Sequence, residues 1–195
     1  MIRNATGELI DFGMSKAFAV ADHQCAHIYV REQSLLKEVA DCIRACEGVD
    51  RVLDRDGKAE AGLDHRNSGE FVVLAKPDAW FSYYYWLDDA NAPDFARTVA
   101  IHAKPGYDPC ELFLDPAIGM PALKIAGKVL RKKLGMRYLM DVIPLDASLV
   151  RGSHGLLPES PERAPVFISS VPGMDLPESL PMTGVKKVCL DLLGL

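Results

Sequence analysis

The sequence predicts an α/β protein, a sandwich of helices on a parallel sheet core, and three observations carry that expectation. Short apolar runs bounded by polar residues recur along the chain, amphipathic helical stretches alternate with them, and the composition suits one globular core. The 195 residues are 49% hydrophobic and 25% charged, with no internal repeat.

Ala17 to Ala21 is a continuous apolar run between Ser15-Lys16 and Asp22-His23, and reads as a buried strand. Ala26 to Val30 is a second β-rich run. Ser34 then precedes a helix whose apolar members are Leu35, Val39 and Ile43, closed by Gly48. A strand is expected at Asp50 to Leu53 and another at Glu70 to Ala75, each followed or preceded by turn chemistry in Asp54-Arg55-Asp56-Gly57 and Arg66-Asn67-Ser68-Gly69. Asp54 and Asp56 do not make a calcium loop, because Lys58 stands where a third oxygen ligand belongs and His65 where the bidentate Glu belongs.

Periodicity fades from Pro77 to Pro116, where Trp80, Phe81, Tyr83, Tyr84, Tyr85 and Trp86 crowd together. These rings can stack a nucleobase or form a small core of their own. A clear helix follows, with Pro121 in its first turn, Leu123, Ala126, Leu130 and Leu134 on one face, basic residues on another and Gly135 as its stop. Its six basic residues between Lys124 and Arg137 read as a solvated outer face. Ala164 to Ser170 reads as a buried strand and Val185 to Leu193 as a terminal helix. Seven of the 13 prolines lie from Pro144 onward, so the last quarter should be rich in loops that wrap a site.

Charge and cysteines narrow the function classes. Lys and Arg number 22 against 27 Asp and Glu, a net charge of -5, which argues against nucleic acid or an anionic membrane as partner. No apolar stretch of roughly 18 residues occurs, and Arg3, Asn4, Glu8 and Asp11 break the N-terminal stretch, so neither a spanning helix nor a signal peptide is expected. The cytoplasm is the expected address. Five cysteines, an odd number, fit it, and Cys42 and Cys46 are expected as reduced residues in the core.

Two constellations can carry chemistry. Asp22 and His23 leave a strand end together, where open α/β sheets place ligands, and a carboxylate beside an imidazole offers donors that zinc, manganese or iron accept. Such a pair can also do no more than cap the strand. In Arg151-Gly152-Ser153-His154-Gly155, the glycines flanking His154 permit tight turns and close approach of a ligand, although a loop histidine is often ordinary surface. His27, His65 and His102 are secondary candidates, better read as sheet or loop packing. Ser153 beside His154 suggests a nucleophile and base, but adjacent loop residues diverge and no third group is identifiable.

The order of strand, Asp22-His23, long insertion, Gly152-Ser153-His154-Gly155 and the strand Ala164 to Ile168 resembles the alkaline phosphatase superfamily, in its type I phosphodiesterase and nucleotide pyrophosphatase branch. Trp80 through Lys104-Pro105-Gly106-Tyr107-Asp108-Pro109 is similar to the insert of a bacterial subgroup of that branch. The resemblance implies an alkaline-phosphatase-like α/β/α sandwich, present in part, with an inserted α+β cap at 55–140. It implies hydrolysis of a small phosphodiester or nucleotide pyrophosphate by two divalent ions, zinc or alternatively manganese or iron. Asp22 and His23 would help hold one ion and His154 the other.

The family also carries an upstream aspartate-ending strand, a nucleophile loop and a further Asp-x-x-x-His pair. The residues before Asp22 contain none of these; Thr6 has no ligand strand ahead of it, and Gln24 replaces a glycine common in the wider family. Residues 1–195 are therefore expected to form the C-terminal part of a catalytic domain, inactive as an isolated chain. The alternatives are a nonenzymatic remnant or subunit that needs an N-terminal partner or self-associates, and a phosphomutase or sulfatase-like activity.

Overall fold

The computed structural model describes residues 2–4, 7–100, 109–150, 153–172 and 176–195. Two compact units emerge, Met1–Leu156 and Leu157–Leu195. The first unit opens with a small antiparallel pair, β1 (Ile2–Asn4) and β2 (Gly7–Leu9). Its main sheet has four strands: β3 (Ala17–Asp22), β4 (Cys25–Val30), β5 (Val49–Leu53) and β6 (Phe71–Ala75), in the order β3-β4-β6-β5.

Every neighbouring pair in that sheet is antiparallel, which overturns the expected parallel core. The physical reason lies in two connections. Only His23 and Gln24 separate β3 from β4, and a two-residue link can join antiparallel strands alone. Helix α1 (Leu36–Arg44) does carry the chain from β4 to a co-directional β5, but β6 inserts between them as an antiparallel strand. A split β-α-β unit of this kind has the same strand-helix-strand order as a parallel one.

The alternation of β4 decides which face is covered. Ala26, Ile28 and Val30 are buried and join Phe71 and Val73 of β6 in one cluster. Leu36, Val39, Ala40 and Ile43, spaced at helical intervals, bring α1 down onto that face. All five residues of β6 are buried, as expected for a strand between two others. Close approach is built in at Gly69, where a Cβ would lie 2.4 Å from the Ile28 carbonyl oxygen.

Several expectations need correction. Strand β3 is an edge strand rather than a buried one, with Val20 49% exposed. Cys42 on α1 and Cys46, two residues past its end, are exposed rather than in the core, and neither forms a disulfide. Asp54 to Gly57 starts the short helix α2 (Arg55–Glu60), because the Asp54 carboxylate accepts the Gly57 N–H as an N-cap. The range 55–140, expected as an inserted cap, supplies α2 and the central strand β6 to the main sheet. The expected buried strand at Ala164 to Ser170 is not formed, and Val166 and Ile168 are more than 80% exposed.

Beyond β6 the aromatic run divides. Trp86 is buried with Ala96 and Leu145, and Tyr84 and Tyr85 pack against it at ring distances of 4.7 and 5.3 Å. The expectation of a small core is met by this half of the run. Helix α3 (Pro121–Lys133) runs where the periodicity placed it, with Gly135 just past its end at φ 71°. Its leucine stripe faces solvent: Leu123, Leu130 and Leu134 are 58–66% exposed. Lys124 and Lys128 instead reach the carboxylate of Asp141, at 3.2 and 2.5 Å.

The second unit holds helix α4 (Val185–Leu193), at the expected position. Gly194, in the left-handed conformation, closes it and lets the Leu195 N–H bond the Leu190 carbonyl at 3.0 Å. No helix among the described residues is long and apolar enough to cross a membrane.

Candidate metal centre

The β3–β4 hairpin creates the site because its turn is bent in an unusual way. His23 has φ 57°, the one left-handed non-glycine residue among those described, and it is the first of the two central turn residues. Hairpin turns normally face water, yet His23 and Gln24 are 7% and 8% exposed. Two other segments cover them.

The first runs from Lys76 to Tyr83. The Phe81 N–H donates to the His23 carbonyl at 2.6 Å, and the Ala75 N–H donates to the Gln24 carbonyl at 3.0 Å. The Gln24 side-chain amide reaches the carbonyls of Lys76, Pro77 and Ala79 at 3.4, 3.3 and 3.0 Å. Gln24, notable in the sequence for replacing a glycine, is thus the clamp that holds this segment over the turn. Trp80 and Tyr83 stand with their rings 6.0 and 6.4 Å from that of His23. The aromatic run therefore serves two places, a core at its far end and a wall of the site at its near end.

The second segment is the histidine loop. The Gln24 N–H donates to the His154 carbonyl at 2.9 Å, which seats the loop on the hairpin. Gly155, at φ 114°, makes the approach possible: a Cβ there would lie 3.2 Å from the Cys25 nitrogen and 3.4 Å from the Asp22 carbonyl oxygen. The rings of His23 and His154 consequently lie 4.1 Å apart.

The outcome is a three-residue group. Asp22, His23 and His154 each offer one donor atom, and these lie within 4.8 Å of one another. His23 is buried at the base, while Asp22 and His154 are exposed, so the group is open to solvent on one side. The resemblance divides these residues between two ions, whereas their gathering here suits a single one. One carboxylate with two imidazoles is a donor set that zinc or iron accepts, with positions left for water or substrate.

Neighbouring groups set the local chemistry. The Ser153 hydroxyl lies 2.5 Å from His23 Nδ1, so ligation through Nε2 is the arrangement that keeps both contacts. Cys25, paired across the hairpin with Asp22, has its thiol pushed up first by burial and then by the Asp22 carboxylate.

Among the described residues, the other two histidines do not join. His27 Nδ1 accepts the Gly69 N–H at 3.2 Å, and exposed His65 accepts the Asn67 N–H at 3.2 Å. His102, Thr6, the flanking Arg151-Gly152 and the Ile101 to Asp108 part of the insert lie outside the described residues. Ser153 pairs with His23 rather than with its neighbour His154, a contact no local pattern announces.

No family model, curated protein or solved structure matches this chain.

Proposed function

We propose that Asp22, His23 and His154 hold one divalent ion and that the centre serves hydrolysis of a small phosphoester, a phosphodiester or nucleotide pyrophosphate. The observation that supports the reading is the meeting of donors 131 positions apart in sequence within 4.8 Å of one another, at a turn buried by two further segments. A divalent ion there would polarise a phosphoryl oxygen and offset its charge. The chain's own contribution is to fix the ion's position with one carboxylate and two imidazoles, to keep one side open, and to present Trp80 and Tyr83 beside the ligand His23. Of the expected alkaline-phosphatase-like sandwich this reading keeps only a helix layer on one sheet face, because the sheet itself is antiparallel.

Titration of the purified chain with zinc and manganese tests the site. One ion per chain is expected, with Asp22→Ala and His154→Ala each weakening uptake by ~10-fold or more. Turnover of a chromogenic phosphodiester by the loaded chain, lost in both variants, would tie the site to hydrolysis. Absence of uptake, or uptake unchanged in both variants, would overturn the reading.

A second reading is that the chain contributes these ligands to a catalytic unit completed by another polypeptide. The leucine face of α3 favours it, because a contiguous apolar stripe left in water marks an interaction surface. Uptake without turnover, together with self-association in sedimentation that Leu130→Glu abolishes, is its signature.

A further inference from the structure

We propose that Ser153 is a positioning residue, fixing His23 as a metal ligand through Nδ1. The inference rests on the metal-site reading above and assigns a function to a side chain that the reading itself leaves unused.

Three observations support it. The Ser153 hydroxyl is 2.5 Å from His23 Nδ1, a contact that joins two residues 130 positions apart. His23 is only 7% exposed, so bulk water competes little with that hydroxyl for the ring. Ser153 is also held in place independently of the ring: the Gln24 N–H to His154 carbonyl bond and the close seat of Gly155 anchor the next two residues on the same hairpin turn.

The chemistry follows from the imidazole. A neutral ring that ligates through Nε2 must carry its proton on Nδ1, and Ser153 Oγ is then the acceptor that sets the tautomer and the ring angle. The serine proton remains available for donation elsewhere. One dipeptide, Ser153-His154, thus supplies both a ligand and the group that orients the other imidazole. Loss of the hydroxyl leaves the donor set intact and its geometry unset.

Zinc titrations of the full chain with Ser153→Ala and Ser153→Thr, followed by nitrogen-15 NMR of the histidine rings, test this. Ser153→Ala should weaken zinc binding ~10- to 100-fold at unchanged stoichiometry, the usual range for losing a ligand's hydrogen-bonded support. Ser153→Thr, which keeps the hydroxyl, should recover most of the affinity and so separates positioning from a folding defect. In the zinc-loaded parent the His23 Nδ1–H should exchange slowly, and in Ser153→Ala quickly, with the His154 ring signal unchanged. Parent-like affinity and exchange in Ser153→Ala would overturn the inference while leaving the metal site standing. Loss of turnover at parent-like affinity would overturn it in favour of a nucleophile. A parent chain that takes up no zinc would overturn the site, and the inference with it.

Discussion

On α1, Leu36, Val39, Ala40 and Ile43 press against the sheet; on α3, Leu123, Leu130 and Leu134 face solvent while Lys124 and Lys128 turn toward Asp141. The two helices have similar patterns, apolar residues at three- and four-residue intervals with charges between. What differs is the neighbour. A four-stranded sheet offers α1 an apolar surface, whereas α3 meets a carboxylate, and two lysines one turn apart take the inward side. Periodicity therefore establishes that a helix has two faces without deciding which one it buries.

The largest expected effect is on the α1 side. Ile43→Ala should cost about 2 kcal/mol, at the low end for loss of a buried aliphatic side chain because Ile43 is half-buried. The urea midpoint should fall accordingly, and a midpoint equal to the parent's would remove the contrast with α3.

An intermediate effect belongs to the lysine pair on Asp141. Burial by itself would raise the Asp141 carboxyl, but Lys128 and Lys124 outweigh it and hold the group below the ordinary carboxylate range. Its contribution is fully present above the unfolded value of about pH 4 and drains away as pH falls through the lowered folded value. Lys128→Ala should cost about 1 kcal/mol at pH 7 and flatten the acid side of the stability profile. Acid unfolding curves of parent and variant that run parallel would show that the pair does not orient α3.

The smallest effect should come from the leucine face itself. Leu130→Ala in the monomeric chain should change stability by no more than about 0.5 kcal/mol in either direction, as for other exposed positions. A loss several times larger, in a midpoint that also depends on protein concentration, would mean the face is covered in solution.

The same limit on periodicity explains how much of the molecule could be read from its residues. Helices α1, α3 and α4 and the four main strands stand where the apolar spacing put them, because local spacing records local geometry. Strand direction did not follow, since β6 separates β4 from β5 only in space. Ala164 to Ser170 has strand composition and forms no strand, an outcome the apolar run alone cannot distinguish. At the site, Asp22, His23 and His154 were legible by residue type and by the glycine at 155. Ser153 as a partner of His23, Gln24 as a clamp and the division of the aromatic run were not, because each depends on a contact between segments far apart in the chain.

The left-handed backbone at His23 also has a consequence for anyone who improves this protein. Glycine or asparagine would occupy that turn with less steric cost than histidine, which pays roughly 1–2 kcal/mol for the conformation. Selection for thermal tolerance alone would favour exchanging it and would discard the imidazole along the way. Libraries screened only for heat resistance should hold position 23 fixed, since the backbone relief and the donor atom cannot be kept together.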